Sequence, residues 1–170
     1  MKKIVYDEYH AFLKKRTLAG KIYRKVWLYP RLCKFLSGMT LDIGPGIGDF
    51  IRYRPNTIGV DINPDNVEYC RSQGLDVRLM EVNRLPFEDG EFDSINMDNV
   101  LEHIEDPSLI LSEITRVLKK GGTLLIGVPG VLGFRTAPDH EVYYSKEVLE
   151  ETFLNLGYKV HKIFSMPIEC

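Results

Sequence analysis

Three closely spaced glycines and a downstream aspartate form the pattern in this chain that is best suited to binding a ligand. Gly44, Gly46 and Gly48 follow a short apolar run that ends at Ile43, and Asp61 ends the next apolar run, 17 residues after Gly44. Glycine lets the main chain approach a ligand closely, and a helix that begins after such a turn offers free N–H groups. A carboxylate at the end of the second strand can accept hydrogen bonds from ribose hydroxyls. The spacing therefore predicts a site for a nucleotide-like ligand.

The glycine pattern departs from the dinucleotide fingerprint. That fingerprint is Gly-x-Gly-x-x-Gly, which would place the third glycine at position 49, where this chain has Asp49. The third glycine comes one residue early, at Gly48. This difference disfavours a nicotinamide-dependent oxidoreductase, which stays open as an alternative.

The composition is that of an ordinary globular domain. The chain has 170 residues, of which 44% are hydrophobic and 27% are charged, enough for a single domain with a buried core. No apolar run approaches the roughly 20 residues that span a bilayer, and the N-terminus lacks the apolar core of a secretory signal. Three distant cysteines and four scattered histidines predict neither disulfides nor a metal site. These features favour a cytoplasmic protein.

Charge is unevenly distributed along the chain. Residues 1–37 carry ten Lys and Arg against two Asp and Glu, a net +8, whereas residues 38–170 carry a net −10. The basic segment is also rich in aromatic residues. Two interpretations stay open: a surface for an anionic partner, such as RNA or an anionic membrane, and a helix whose basic face packs on the acidic body. We therefore treat 1–37 as a basic, aromatic, helical segment packed on a core of residues 38–170, within a single domain.

The periodicity of residues 18–36 predicts an amphipathic helix. Its apolar positions recur at intervals of three and four residues, namely Leu18, Ile22, Val26, Tyr29, Cys33 and Leu36. Pro30 lies inside this helix, so we expect a kink or break near Tyr29. A shorter helix is predicted over residues 4–16.

After residue 38 the pattern alternates between strand and helix. Strands are predicted at 40–43, 57–60, 75–80, 92–97, 123–128 and 158–165, with helices at 47–53, 64–73, 106–118 and 145–156. Strands separated by helices form right-handed crossovers and a mostly parallel sheet. We therefore predict an α/β fold: a Rossmann-like, doubly wound sheet of six or seven strands, preceded by the N-terminal helical segment.

Ligands of such sheets bind at the carboxyl ends of the strands. Asp61, Glu81 and Asp98 each follow or end a predicted strand, so we expect these carboxylates along one rim. Clustered carboxylates are costly unless donors or a cation occupy the site. A ligand with ribose hydroxyls, an adenine amino group and an ammonium would supply those donors.

Four ordered motifs resemble one family. Residues 41–48, Leu-Asp-Ile-Gly-Pro-Gly-Ile-Gly, resemble the first motif of class I S-adenosylmethionine-dependent methyltransferases, type 11-like members that act on small molecules. Leu-Pro-Phe at 85–87 with Glu-Phe-Asp-Ser-Ile at 91–95, and Val-Leu-Glu-His-Ile-Glu-Asp-Pro at 100–107, are similar to the middle of that family. Arg-Val-Leu-Lys-Lys-Gly-Gly at 116–122 is similar to its turn before the fifth strand.

The resemblance implies S-adenosylmethionine as the cofactor, with S-adenosylhomocysteine as its product. It implies roles for eleven residues at strand ends: Asp42, Gly44, Pro45, Gly46 and Gly48 around the methionine part; Asp61 at the ribose; Ile62, Glu81 and Val82 around adenine; Asp98 and Asn99 near the amino-acid end. Glu81 stands where the family usually has Asp. A solvated rim carboxylate is the alternative role for Glu81.

His103 and His140 are the candidate catalytic bases. Methyl transfer to a hydroxyl requires removal of a proton, which a positioned histidine can accept. His103 follows the fourth strand and His140 lies in the loop that faces the expected acceptor. Each can instead brace its loop, and no metal is expected at either.

We predict a methyltransferase for a small-molecule acceptor, such as a sugar or cell-envelope precursor, with no DNA partner. One alternative is a catalytically weak or inactive cofactor-binding module that partners a larger enzyme. The chain has one strand after the last helix where the family has two. The open sheet edge that results favours pairing with a second copy as a homodimer.

Overall fold

The computed structural model describes residue 10 and residues 13–15, 17–136 and 139–165. Its centre is a sheet of five described strands: β1 (Thr40–Ile43), β2 (Thr57–Asp61), β3 (Val77–Leu79), β4 (Phe92–Asp98) and β5 (Leu118–Gly127). Their order is β3-β2-β1-β4-β5, and every pairing is parallel. This confirms the doubly wound, Rossmann-like fold.

The helices connect and flank these strands. They are α1 (Leu18–Tyr23), α2 (Tyr29–Leu32), α3 (Asp49–Tyr53), α4 (Pro64–Ser72), α5 (Ser108–Val117), α6 (Val131–Thr136) and α7 (Lys146–Asn155). Side chains cap three of them at their N-termini: Thr17 accepts from the Gly20 N–H at 3.2 Å, Asn63 from the Asp65 N–H at 2.9 Å, and Ser145 from the Val148 N–H at 3.3 Å. Helix α6 was not predicted.

Pro30 interrupts the N-terminal helix as expected. A π-helical turn, Arg24–Leu28, separates α1 from α2, where the proline ring has no N–H to continue the regular ladder. The predicted apolar face is wrong in its first half: Leu18, Ile22 and Val26 are 73%, 54% and 69% exposed. The buried face lies later, at Leu28, Tyr29, Leu32 and Leu36, which pack with Phe50. The helix expected over residues 4–16 falls largely outside the described residues.

The predicted strand 158–165 is wrong, and with it the count of six or seven strands. Residues 158–165 have no strand structure and pair with none of the described strands. Tyr158 and Val160 pack against the main core, so their alternation reflects packing rather than pairing. Strand β5 is an edge of the described sheet, and its pairing with a second copy stays a prediction.

Parallel register places the strand ends that matter together. Ile43 is opposite both Val60 and Met97, and Asp98 is opposite Gly127. The loops after β1, β2, β4 and β5 therefore leave the sheet at one edge. None of the described helices has the length and apolar character needed to cross a bilayer.

Candidate functional site at the carboxyl edge of the sheet

The glycine loop after β1 adopts a conformation that other residues avoid. The Gly44 N–H donates to the Val60 carbonyl at 2.9 Å, which ties the loop to β2. Gly46 has a φ of 56°, in the left-handed region that favours glycine. A Cβ at Gly46 would stand 2.9 Å from Cδ1 of Leu13, a buried residue of the N-terminal segment. The glycine therefore serves a close approach, here by Leu13.

Asp42 is buried at the end of β1 beneath this loop. Nδ2 of Asn96 donates to its Oδ1 at 2.7 Å. Burial, together with the neighbouring carboxylates of Asp98 and Asp61, raises the pKa of Asp42 to about 7. A cationic ligand group near these carboxylates would favour their charged forms.

A cavity of about 60 Å³ opens where the loops after β1 and β4 meet. It brings together six of the predicted cofactor residues: Asp42, Gly44, Pro45, Gly46, Asp98 and Asn99. Leu13, Tyr29 and Leu32 of the N-terminal segment line its other side. The volume is far below the roughly 300 Å³ at the lower end for small-molecule pockets, so this cavity can hold only part of a nucleoside-sized ligand.

Asp61 lies outside this cavity at the end of β2, where its carboxylate is satisfied by its own neighbourhood. The Asn63 N–H donates to Oδ1 at 2.8 Å, and Nδ2 of Asn66 donates to Oδ2 at 3.0 Å. The nearby N–H groups of Gly46 and Ile62 also help to lower its pKa. Burial raises the pKa of Asp61, and these donors offset part of the rise. Each oxygen can still accept one further hydrogen bond from a ribose hydroxyl.

The remaining predicted adenine residues are more open. Ile62 is half-buried and packs on the main core, whereas Glu81 and Val82 are exposed in the turn after β3. Gly48 lies behind the glycine loop, where a Cβ would meet Leu75. These four residues do not line the cavity between β1 and β4.

The loop after β4 begins with a left-handed residue. Asn99 has a φ of 55°, and its N–H donates to the Gly127 carbonyl at 2.9 Å. Asparagine tolerates this conformation better than most residues. The carboxylate of Asp98 packs so closely on Gly127 that a Cβ there would collide with it. The loop therefore fixes Asp98 between β4 and β5.

His103 and His140, the two predicted bases, meet beyond this loop. Their ring centroids are 4.9 Å apart. Nδ1 of His103 lies 3.1 Å from the Asp139 carbonyl oxygen and 3.4 Å from that residue's carboxylate, and Nδ1 of His140 lies 3.0 Å from the Phe134 carbonyl oxygen. Phe134 also stacks on the His140 ring. The structure therefore brings the two histidines together and holds both by Nδ1.

Glu102 completes this group, and sequence reasoning missed it. It belongs to the 3₁₀ turn Leu101–His103, is 1% exposed, and has Oε1 3.9 Å from Nε2 of His140. Burial, together with the charges of Asp98 and Asp139, raises its pKa to about 7. The sequence showed Glu102 beside a candidate histidine but gave no sign of its burial.

Comparison with known proteins identifies the family. A model of the methyltransferase domain matches residues 41–126, just over half of the chain. A ubiquinone/menaquinone biosynthesis C-methyltransferase of Desulfotalea psychrophila is 31% identical over 163 residues, covering 72% of this chain and 66% of that enzyme. A ubiquinone biosynthesis O-methyltransferase of Methylococcus capsulatus is 33% identical over 95 residues, covering 49% of this chain and 40% of that enzyme.

An uncharacterized protein of Methanocaldococcus jannaschii is 38% identical over 91 residues, covering 54% of this chain and 44% of that protein. The chain thus spans less than two thirds of the length of these curated relatives.

Solved structures show the same fold. A SAM-dependent methyltransferase of Thermotoga maritima superposes with a TM-score of 0.71 at 23% identity, covering 92% of this chain and 82% of that one. One from Aquifex aeolicus gives 0.69 at 22% identity, covering 90% of each chain. With the fold, the glycine loop and the matched family model in agreement, the chain belongs to the class I S-adenosylmethionine-dependent methyltransferase domain family.

Proposed function

We propose that this chain transfers the methyl group of S-adenosylmethionine to a small-molecule acceptor. The observation that carries the proposal is the pair of carboxylates beside the glycine loop, where the buried Asp42 and the half-buried Asp98 share a cavity with Gly44 and Gly46. This cavity suits the ammonium of an amino-acid group, and the nearby Asp61 is placed for ribose hydroxyls.

The site residues would divide along the cofactor. Its amino-acid end would contact Asp98 and Asn99, while its methionine chain would pass over the glycine loop. Adenine would lie against Ile62, with Glu81 and Val82 at its outer rim. The reaction is an in-line displacement, so placing the acceptor atom about 3–3.5 Å from the methyl carbon is the main task of the protein.

The acceptor would approach from the side of His103 and His140. Either histidine can accept the proton of a hydroxyl acceptor, since Nδ1–H donation to a carbonyl leaves Nε2 as the basic atom. The relative named as a ubiquinone biosynthesis O-methyltransferase supports a hydroxyl acceptor, whereas the relative named as a C-methyltransferase supports a carbon acceptor. Nothing in the site favours the sugar or cell-envelope precursor expected from residues 1–37, and family membership leaves the nicotinamide alternative without support.

Two measurements test this proposal. Calorimetry with S-adenosylhomocysteine should give one site per chain, which Asp61→Asn weakens by about 1–3 kcal/mol. Asp76→Asn is the matched control, since Asp76 is a half-exposed carboxylate just before β3, at the opposite edge of the sheet. Equal affinity in wild type and Asp61→Asn would remove Asp61 from the site.

Transfer itself is measured with radiolabelled S-adenosylmethionine and a panel of phenols, catechols, amines and sugars. We expect label in a phenolic product, at a rate that falls in His140→Gln. Cofactor binding without transfer to any acceptor would support the alternative, a binding module that partners a larger enzyme.

A further inference from the structure

Glu102 is a buried carboxylate without a counter-charge of its own. Neither Oε1 nor Oε2 has a hydrogen-bond partner among the residues that the structure describes, although the residue is only 1% exposed. Its main chain is engaged, since its carbonyl accepts from the Glu141 and Val142 N–H groups at 2.8 and 3.0 Å. A buried carboxylate is stable only with a proton, donors or a cation. The fold therefore holds the main chain of Glu102 in place, but no described residue donates a hydrogen bond to its carboxylate.

The surroundings of Glu102 are rich in groups that can bind a cation. His103 and His140 each offer a ring nitrogen, and one ligand atom from each of the three residues lies within 4.8 Å of the others. Asp98, Asp139 and the buried Tyr144 are close enough to interact electrostatically with Glu102. No described lysine or arginine forms an ion pair with it. The local charge is therefore negative.

The two histidines are oriented as metal ligands usually are. Nδ1 of His103 lies 3.1 Å from the Asp139 carbonyl oxygen, and Nδ1 of His140 lies 3.0 Å from that of Phe134. A carbonyl oxygen only accepts, so each Nδ1 carries the proton and each Nε2 is left with a lone pair. Donation from the second ring nitrogen to a carbonyl fixes tautomer and ring orientation in metal sites.

We propose that Glu102, His103 and His140 bind a divalent transition-metal ion such as Zn²⁺, Fe²⁺ or Mn²⁺. Two imidazoles and one carboxylate suit such ions better than Ca²⁺ or Mg²⁺, which prefer oxygen ligands. Ligand atoms around a tetrahedral ion stand about 3.4 Å apart, so the group closes by roughly 1 Å on binding. This proposal departs from the expectation from the sequence that the chain has no metal site.

Three protein ligands leave at least one coordination position open. This position can then bind the acceptor's hydroxyl oxygen, a step that rests on the proposed methyltransferase function. The ion lowers the pKa of the hydroxyl, whose proton leaves to solvent. The oxygen then bonds to the methyl carbon as the carbon–sulfur bond breaks, giving a methyl ether and S-adenosylhomocysteine. His103 and His140 would then act as ligands rather than bases.

The test is a titration of the metal-free full chain with Co²⁺, followed by its visible d–d absorption. We expect one ion per chain without the thiolate-to-cobalt band that a cysteine would add. His140→Gln and Glu102→Gln should each weaken binding by more than the 10–100-fold that loss of an outer hydrogen-bond partner costs. His161→Gln, at an exposed histidine outside the group, should bind as wild type.

Circular dichroism checks that each variant is folded. The proposal is overturned if the wild type takes up no Co²⁺ at millimolar concentration, or if folded His140→Gln and Glu102→Gln variants bind it as tightly as wild type. Parallel calorimetry with S-adenosylhomocysteine keeps the two proposals separate. Metal binding without cofactor binding would refute only the methyltransferase proposal, and cofactor binding without metal binding would refute only the metal site.

Discussion

Asp61 and Glu102 are both buried carboxylates at the carboxyl edge of the sheet, yet they differ in the hydrogen bonds that they receive. Asp61 receives hydrogen bonds from the main-chain N–H of Asn63 and the side-chain amide of Asn66, one on each oxygen. Glu102 receives none from any other described residue. Around Asp61, the proposed cofactor side thus has its hydrogen bonds in place before a ligand binds, whereas the proposed acceptor side around Glu102 is completed only by a proton or an added cation.

Replacing each carboxylate by the amide of the same shape should separate the two regions most sharply. Asp61→Asn should lower the free energy of unfolding at pH 8 by about 1–3 kcal/mol, because the new NH₂ replaces one of the two oxygens that accept from the Asn63 N–H and the Asn66 amide and leaves that buried donor unpaired. The Asn66 amide would also face a second NH₂ group, because Oδ1 of Asn66 is held 2.8 Å from Nδ1 of His10. Urea denaturation measures the change. A loss below about 0.5 kcal/mol, the ordinary range for surface sites, would show that the Asp61 contacts contribute little.

Glu102→Gln should instead raise the free energy of unfolding at pH 8. The folded-state pKa of about 7 lies above the ordinary value of 4.5, so the unfolded chain releases its proton first. The resulting cost of folding is absent below pH 4.5, grows between pH 4.5 and 7, and is constant above. The variant should therefore be more stable than wild type by about 1–3 kcal/mol at pH 8, and by nothing at pH 4.

Urea denaturation in EDTA at both pH values measures this difference, with Glu105→Gln as the exposed control in the same loop. Excess Zn²⁺ at pH 8 should reverse the order, since only the wild type keeps the carboxylate ligand. A variant that is less stable than wild type in EDTA at pH 8 would mean that Glu102 already has a partner in the folded chain.

Asn99 lies in the loop after β4, between the glycine-loop cavity and Glu102, and its substitution should have a smaller effect on stability. With a φ of 55°, Asn99→Ala should cost about 1 kcal/mol, because alanine is strained in the left-handed region. Asn99→Gly has no such strain and should stay within about 0.5 kcal/mol of wild type. Thermal unfolding of the pair isolates the backbone effect from loss of the side chain. Equal losses in both variants would assign the cost to the Asn99 side chain instead.

The difference between the two regions also explains what the sequence could predict. The glycine loop and Asp61 lie close together along the chain, so spacing alone predicts that they share the edge of the sheet. Glu102 is buried through contacts with Glu141 and Val142, about 40 residues away, and no local pattern records this. Likewise, the periodicity of Leu18, Ile22 and Val26 predicts a face but not whether anything covers it.

Substitution of Glu81 should have the smallest effect on cofactor binding, since this residue lies at the outer rim of the proposed cofactor site. Its carboxylate is exposed after β3, so water already solvates it and a ligand gains little from replacing that water. Glu81→Gln should change the affinity for S-adenosylhomocysteine by less than about 0.5 kcal/mol, against about 1–3 kcal/mol for Asp61→Asn in the same calorimeter. A tenfold loss in Glu81→Gln would instead mean that adenine covers this carboxylate, so that the cofactor side too is completed only on binding.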